Sequence, residues 1–540
     1  MHRVSPGLRL AAIATAGMAA VPLLYIAVRA LGADAAVWER LWLGQVRRLV
    51  GTTAVLLALT VAIAVVLGVG LAWAIERTDL PGRGTWRWLL ALPLAIPAYV
   101  GAVAYISLLG RGGLIEPIWR AATGAPRNVP FPAPDLYSVP AAALIIALMV
   151  YPYVYLPAGA ALRSSNRALE EAALVAGHGP LRVFFRVTLP LIAPSIVAGA
   201  LLVALYVLSD FGTVGILRVY TFTSAIFSTF SGSADRAGAA ILSGMLLLFT
   251  VPLLLGEGLM AQRAQVLVPA SSWKPQRPLA LGRWTWVVVG AVALAAAGAL
   301  GVPVLVFSVL TVRQWLAPTP TDRLYGYGDT LGAWALNTVG LAALAATLAL
   351  ALCIAPAYLA TRAPGRFSRV VLALCKAPFA LPGLLIGLSF VFLFNTPGLS
   401  FVYGTVIALG AGFVLRLLPH SVTNGEAALR AAPPSLEQAA RTLGRSQPGA
   451  LWQVVAPVAA PGLAATWVVA FVTAMKELPV ALLLRPPGFE TLPVRVWAAA
   501  REAVWTQAAV PALLLIVVTA VPLFLVSTRG RAGLSRVLSE

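Results

Sequence analysis

The sequence has little charge and almost no cysteine. Only 11% of its 540 residues are charged, whereas 60% are hydrophobic; soluble globular chains carry roughly 25% charged residues. One aqueous core cannot bury so much apolar side chain, which indicates an integral membrane protein and excludes a disordered chain. Cys353 and Cys375 are the only cysteines and lie in apolar runs, which excludes a disulfide-stabilised secreted scaffold.

The sequence also lacks the short motifs of common enzymes and nucleotide-binding proteins. No G-x4-G-K-[ST] run is present, and Lys274, Lys376 and Lys476, the only lysines, lie outside glycine-rich turns. A complete ATP-driven pump in one polypeptide is therefore excluded. Because no H-E-x-x-H motif, G-x-S-x-G motif or Cys/His cluster appears, an enzyme is disfavoured and no cofactor is expected in this chain.

Positive charge exceeds negative charge, with a formal net charge of +20. The basic residues are mostly arginines in short loops between apolar runs, a distribution that is typical of membrane insertion. No basic stripe interleaved with aromatic residues appears, so nucleic acid is not an expected partner. The expected surroundings are membrane lipids.

Long apolar runs recur twelve times along the chain. Each is close to the ~20 residues that an α-helix needs to cross a ~30 Å hydrocarbon core. Continuous runs of this length disfavour a transmembrane β-barrel, whose strands are short and alternating. The sequence therefore predicts an all-α integral membrane protein with about twelve transmembrane helices. They are expected at residues 8–30, 50–75, 88–110, 138–161, 192–217, 238–260, 285–312, 335–360, 370–395, 400–418, 462–486 and 506–527.

The basic residues also indicate the orientation of these helices. If the segments alternate across the membrane, more Arg and Lys residues fall on the side of the N-terminus, and the positive-inside rule places both termini in the cytoplasm. Residues 8–30 have Arg3 and Arg9 before and at their start and precede small residues, as a cleaved signal peptide would. The length of this run and the eleven runs behind it favour a retained helix.

The chain repeats itself over a long distance. Two units with six apolar runs each cover residues 1–261 and 284–540, and the polar, proline-containing stretch 262–283 is predicted to be a cytoplasmic linker. An even number of crossings makes this a parallel repeat, with a path across the membrane expected where the units meet. The pairs at a constant offset are Glu170/Glu437, Gly177/Gly444, Pro190/Pro457, Pro194/Pro461 and Asp210/Glu477.

The loop after the fourth run of each unit carries the most specific pattern. Its Ala-rich start favours a short helix, which a Ser435/Gln438 capping box is predicted to open in the second copy. A glycine then permits a left-handed turn, and the prolines are expected to restart the chain as it re-enters the membrane. The two copies read Glu171-Ala172-Ala173, Gly177 and Leu189-Pro190, and Gln438-Ala439-Ala440, Gly444 and Ala456-Pro457.

This pattern resembles the EAA loop of binding-protein-dependent ABC importer permeases, the MetI-like family. The resemblance implies two copies of a cytoplasmic ATPase, which bind ATP and Mg²⁺, an extracytoplasmic solute-binding protein, and a location in the bacterial inner membrane. The second copy departs from the pattern because Gln438 replaces the acid, and whether Glu437 substitutes for it stays open. The implied coupling residues are Glu170, Glu171, Ala172, Ala173, Gly177, Leu189, Pro190, Glu437, Gln438, Ala439, Ala440, Gly444 and Pro457.

Two acids lie within apolar runs at equivalent places. Asp210 and Glu477 each follow a helix-starting proline by sixteen residues, roughly 24 Å into a ~30 Å core, which places them toward the outer side. A carboxylate there must face protein or water. The hypothesis is a paired acidic station on the translocation path; the alternative is a structural pair. Lys476 is expected to face away from Glu477 on a helix and to snorkel or pair elsewhere.

The surroundings of these acids resemble the fused ferric-iron permeases. The resemblance rests on the segments 209–213 and 221–223 in the first unit and 476–479 and 484–486 in the second. It implies ferric iron as the solute, and Fe(III), a hard cation, suits carboxylate oxygens. Thiamine, sulfate, phosphate and polyamine remain alternatives of the same class. An ion-coupled secondary transporter without an ATPase is the rival from another class, and a non-transport scaffold is a more distant one.

Overall fold

The computed structural model describes residues 5–165, 168–232, 235–266, 278–316 and 330–537. These ranges form helices and no strand, as an Ala- and Leu-rich apolar chain favours. The helices of the first half are α1 Pro6–Leu31, α2 Ala35–Leu41, α3 Arg47–Arg77, α4 Arg83–Leu89, α5 Ala98–Leu109, α6 Ile115–Thr123, α7 Val139–Val150, α8 Pro152–Ser164, α9 Ala168–Val175, α10 Pro180–Val183, α11 Leu189–Ser209, α12 Gly212–Ile216, α13 Phe222–Ser231 and α14 Arg236–Val266.

The second half repeats this order. Its helices are α15 Thr285–Ala296, α16 Val302–Leu316, α17 Thr330–Arg362, α18 Arg366–Lys376, α19 Gly383–Phe394, α20 Val406–Arg430, α21 Pro434–Thr442, α22 Gln447–Ala450, α23 Ala456–Met475, α24 Pro479–Leu484, α25 Leu492–Arg501 and α26 Trp505–Val537.

The prediction of about twelve membrane-crossing segments is confirmed, but some of the segments are bent pairs of helices. Among the described residues, nine helices are long and apolar enough to cross a membrane, and three bent helix pairs bring the number to twelve. The runs at 88–110 and 370–395, each expected as one transmembrane helix, are bent pairs with angles of 95° and 102°. The bends fall at Pro97 and Pro382, the N-cap residues of α5 and α19, which have no N–H with which to continue the preceding helix.

The prolines after each loop do not restart the chain, contrary to the sequence prediction. Pro194 and Pro461 lie inside α11 and α23. One continuous helix covers Phe184–Ser209, and another covers Gln447–Met475. The π-helical segments Phe184–Thr188 and Leu451–Val455 lie within these continuous helices, just before α11 and α23. Such wide turns accommodate irregular backbone hydrogen bonding within a continuous helix.

The first long segment of each half packs against the other half. The hydroxyl groups of Thr15 and Tyr25 on α1 donate hydrogen bonds to the carbonyls of Leu352 (3.5 Å) and Phe392 (3.3 Å) in the second half. The π-helical segment Ala297–Gly301 between α15 and α16 receives a 2.9 Å hydrogen bond from Tyr105 on α5 of the first half. The two halves are therefore interlocked.

The predicted linker 262–283 is described only in part. Its first residues belong to α14, which continues to Val266, and residues 267–277 lie outside the described part of the chain. Beyond them, the Leu279 N–H donates to the Arg77 carbonyl at 2.8 Å, and Leu279 forms an isolated parallel bridge with Thr78. The end of the linker thus lies at the end of α3, while the division into domains stays a prediction.

Both repeated loops lie at the same end of the molecule. The N–H of Ser5, just before α1, donates to Oε1 of Gln447 in the second loop at 2.7 Å. α14 starts beside the end of α1, where Gly244 approaches Ala30, so its far end returns to the end at which α1 begins. α11 runs opposite to α14, because its end lies beside α13, whose Phe222 ring packs on Phe249 of α14, while its middle lies beside Gly256, further along α14. The start of α11, next to the first loop, is therefore also at the end at which α1 begins. We call this end the loop end.

Candidate functional site

Each loop begins with a short helix that stops in the same way. α9 ends at Val175 and α21 at Thr442, and Gly177 and Gly444 both take a left-handed backbone with φ +84°. The next N–H reaches back to the carbonyl of Ala173 or Ala440 at 3.1 Å in both copies. This six-to-one hydrogen bond is the Schellman motif, which favours glycine. The predicted left-handed turns are therefore present.

A buried arginine holds an acid in each loop. Glu170 Oε1 lies 3.0 Å from Arg77 Nη2 at the end of α3, and Glu437 Oε2 lies 3.0 Å from Arg362 Nε at the end of α17. All four side chains are at least nine-tenths buried. Glu437 also accepts a hydrogen bond from the Tyr358 hydroxyl group. Such a pair fixes each short helix to the bundle, because removing one partner would leave a buried charge.

In each loop helix, the buried acid that both halves share is followed directly by an exposed residue. Glu170 and Glu437 face inward, while Glu171 and Gln438, the next residues along, are exposed. Glu437 does not substitute for the missing exposed acid of the second copy; it is the equivalent of Glu170. The sequence offered one signal for this, since the acid at 170/437 is present in both halves and the one at 171/438 is not.

The start of the second loop helix differs from the sequence prediction. α21 begins at Pro434, its N-cap residue is Pro433, and no side chain caps it. The Ser435/Gln438 capping box is therefore wrong. Proline at the start of a helix has the required φ and lacks an N–H that would in any case be unpaired, so the helix begins earlier than Ser435.

A cavity of about 200 Å³ lies between the two halves. Pro97 and Gly383, which lie at the bends before α5 and α19, are among the residues that line it. A Cβ atom on Gly212 would lie 2.9 Å from Tyr99 Cβ and 3.0 Å from Leu478 Cδ2, so the halves approach closely here. The polar and charged lining consists of Tyr99, Tyr153, Tyr206, Ser209 and Asp210 from the first half and Arg416, His420, Thr473, Lys476 and Glu477 from the second.

The structure brings the two predicted path acids together around this cavity. α11 ends at Ser209 and α23 at Met475, so each acid lies at the break after a long helix and not within it. Asp210 Oδ1 accepts from the Thr213 N–H at 3.3 Å, and Glu477 Oε1 accepts from the Val480 N–H at 3.4 Å. Each acid therefore satisfies the start of the short helix that follows, as an N-cap residue would.

The two acids differ in their remaining contacts. Glu477 Oε2 lies 3.4 Å from Arg416 Nε. Asp210 Oδ2 is buried and has no hydrogen-bond partner among the described residues. Lys476 Nζ donates to the Leu94 carbonyl of the first half at 2.7 Å. Lys476 thus pairs with the first half and not with Glu477, as expected, although both residues line the same cavity because the helix has already ended.

Comparison with known proteins identifies the family. The sequence model of one protein family, the binding-protein-dependent transport system inner membrane component, matches residues 64–322 and 353–529 of this chain. The Fe(3+)-transport system permease protein FbpB 2 of Haemophilus influenzae is 28% identical over 94% of both chains. The ferric transport system permease protein FbpB of Actinobacillus pleuropneumoniae is 26% identical over 75% of this chain and 60% of its own length.

A shorter relative matches about one half of the chain. The molybdenum transport system permease protein ModB of Mycobacterium tuberculosis is 31% identical over 46% of this chain and 92% of its own length. A permease of half the size thus corresponds to part of a duplicated chain, which agrees with the repeat in the sequence. The chain belongs to the family of binding-protein-dependent transport system inner membrane components.

Proposed function

We propose that this chain is the membrane-spanning subunit of an ATP-binding-cassette importer for ferric iron. The observation that carries the proposal is the pair of matching loops at one end of the molecule, each fixed by a buried arginine–glutamate pair. A separate ATPase binds the exposed faces of α9 and α21, one copy to each, and a solute-binding protein delivers the solute at the opposite end. Both termini lie in the cytoplasm, and the membrane is the bacterial inner membrane.

The helices after the loops connect the ATPase contacts to the cavity. α11 leads from the first loop to Asp210, and α23 leads from the second loop to the residues before Glu477. Closure of the ATPase pair moves both loops, and the long helices carry that movement to the two acids. Because each half presents its acid at a break between helices, a small shift of α11 or α23 changes the cavity between them.

Two observations support iron as the solute. Relatives that match most of the chain are named as ferric transport permeases. The cavity also offers carboxylate oxygens, which suit a hard cation. Asp210 is the first candidate to meet it, because its Oδ2 has no partner among the described residues.

Uncoupling variants test this proposal in vesicles that contain the chain, its ATPase and its binding protein. Gly177→Pro distorts the left-handed turn, and Glu171→Lys reverses the exposed charge; each is expected to reduce ⁵⁵Fe uptake by roughly tenfold or more while ATP hydrolysis continues. Gly179→Ala is the matched control, because a Cβ there meets nothing within 4 Å.

Normal uptake by both variants would contradict the coupling role. Uptake that an ion gradient drives without the ATPase would favour a secondary transporter instead. Asp210→Ala and Glu477→Ala test the path in the same vesicles, where wild-type uptake rates in assembled complexes would remove these acids from it.

A further inference from the structure

The charges around the central cavity are divided unevenly between the halves. At equivalent repeat positions, the first half contributes Met149 and Ser209, whereas the second half contributes Arg416 and Lys476. Only the acids, Asp210 and Glu477, are shared. The cavity therefore contains two carboxylates and two cationic side chains, and both cations come from the second half.

Only part of this charge is neutralised within the protein. Arg416 and Glu477 form an ion pair at 3.4 Å. Lys476 donates to a backbone carbonyl and forms no ion pair in the described part of the chain, and Asp210 keeps one buried oxygen without a partner there. A carboxylate on one half and an ammonium group on the other, neither of them in an ion pair among the described residues, thus line the same space.

Unpaired charges at a buried site are costly, and a ligand of complementary charge removes that cost. A bare metal cation suits Asp210 but is repelled by Lys476 and Arg416. A bare oxyanion suits Lys476 but is repelled by Asp210. A cargo with both a positive and a negative part satisfies both groups at once.

The size of the cavity agrees with a composite cargo. Its volume of about 200 Å³ is several times the ~30 Å³ that one water molecule occupies in the liquid. A dehydrated metal ion alone would leave most of this space unfilled, whereas a cation with an oxyanion or carboxylate ligand fills more of it.

We propose that the cavity takes a ferric ion together with an anionic ligand that bears carboxylate or phosphate oxygens, Asp210 facing the metal and Lys476 facing the anion. This inference rests on the proposed function. It makes Lys476 a specificity-determining residue, since a lysine ammonium group is a compact charge that binds such oxygens.

The test counts two labels in the same vesicles. The complete complex is reconstituted with its ATPase and binding protein, and ⁵⁵Fe(III) is supplied with [¹⁴C]citrate in one arm and with [³²P]phosphate in another. We expect both iron and one of the anions to accumulate inside at a fixed ratio. Iron that enters while both anions stay outside would overturn the inference and leave the proposed function intact. Failure of iron to enter would overturn the proposed function and the inference with it.

Variants assign the anion to Lys476. Lys476→Gln is expected to reduce uptake of both labels by roughly tenfold or more while ATP hydrolysis continues. Because this variant also loses the bond to Leu94, the double variant Ser209→Lys/Lys476→Ser returns the cation from the equivalent position of the first half. Recovery of anion uptake in the double variant supports charge recognition. Uptake of both labels at the wild-type ratio in Lys476→Gln would overturn the role of Lys476.

Discussion

The two halves are alike at the loop end and different at the cavity. At the loop end, both have a 3.0 Å arginine–glutamate pair and a glycine at φ +84°. At the cavity, Met149 and Ser209 of the first half occupy the positions equivalent to Arg416 and Lys476 of the second. Under the proposed function, two copies of one ATPase require loops of the same shape, whereas a single solute meets both halves at once and each half can contribute a different charge.

A second comparison shows how a shared geometry survives a change of sequence. In the first half, Glu76 on α3 pairs with Arg87 at 2.8 Å and with Arg163 at 2.6 Å. In the second half, Glu426 on α20 pairs with Lys376 at 3.0 Å and with Arg430 at 2.6 Å. Each bridging acid connects the short helix before the bend to the bundle, but the two acids come from different helices.

The repeat explains how this exchange works. Glu426 occupies the position equivalent to Gly159, and a Cβ on Gly159 would lie 3.9 Å from Glu76 Cγ. The absence of a side chain at Gly159 leaves space for the Glu76 side chain. What the two halves preserve is therefore the place of the carboxylate and not the residue that supplies it.

The largest effect is expected from breaking the matched pairs at the loop end. Arg77→Leu and Arg362→Leu each remove the buried arginine that holds a loop glutamate, and breaking a buried pair in this way costs about 3–5 kcal/mol of stability. Thermal unfolding of the purified chain in detergent measures the loss. Arg77→Leu/Glu170→Leu is the control and should recover much of it, since apolar groups can replace a buried pair. A single variant as stable as the wild type would contradict the account.

Exchanging the bridging acid sharpens the second comparison. Glu76→Thr removes charge-assisted hydrogen bonds and should lower stability by about 1.5–3 kcal/mol. Adding Gly159→Glu rebuilds the arrangement of the second half, and we expect it to restore at least part of the loss in the same unfolding measurement. A double variant less stable than Glu76→Thr would show that the two clusters are not equivalent.

Replacing the loop glycines should have equal and smaller effects in the two halves. Gly177→Ala and Gly444→Ala each place a side chain on a left-handed backbone, which costs about 1–2 kcal/mol. The unfolding midpoint should fall to a similar extent in both, while Gly179→Ala stays near the wild type. Unequal losses would mean that the two turns carry different strain.

The smallest effect on stability is expected from Gln438→Glu. This change gives the second loop the exposed acid that the first has at Glu171. Such surface substitutions change the free energy of unfolding by no more than about 0.5 kcal/mol. The change is expected to act on ATPase binding instead. The binding free energy of the ATPase, measured by titration with purified ATPase at low salt, should change by no more than about 1 kcal/mol. A large change in unfolding would show that Gln438 is not at a free surface.

The sequence predicted the parts of this structure that depend on composition and repetition. Apolar run lengths gave the crossing segments, and the constant offset between the halves aligned the two loops and the two acids. The 95° and 102° bends were not predicted, because apolar composition is the same on both sides of Pro97 and Pro382. The sequence did not predict that Lys476 lines the same cavity as Glu477, because this depends on where the helix ends.

The buried arginines were also missed, for a different physical reason. Arg77 and Arg362 follow long apolar runs, where arginine usually marks the membrane surface. Their partners come from loops about ninety and seventy-five residues further along the chain, and no local pattern reports such a contact. The repeated acid at Glu170 and Glu437 was the only sequence sign that something on each bundle required it.

Labelling the two loops from each side of the membrane tests the central claim most directly. Glu171→Cys and Gln438→Cys introduce exposed thiols, while the native Cys353 and Cys375 are buried. A membrane-impermeant maleimide should label both positions only from the cytoplasmic side, and bound ATPase should protect both. Labelling of the two positions from opposite sides, or equal labelling with and without the ATPase, would contradict the account of two duplicated helical bundles that are driven by two copies of one ATPase.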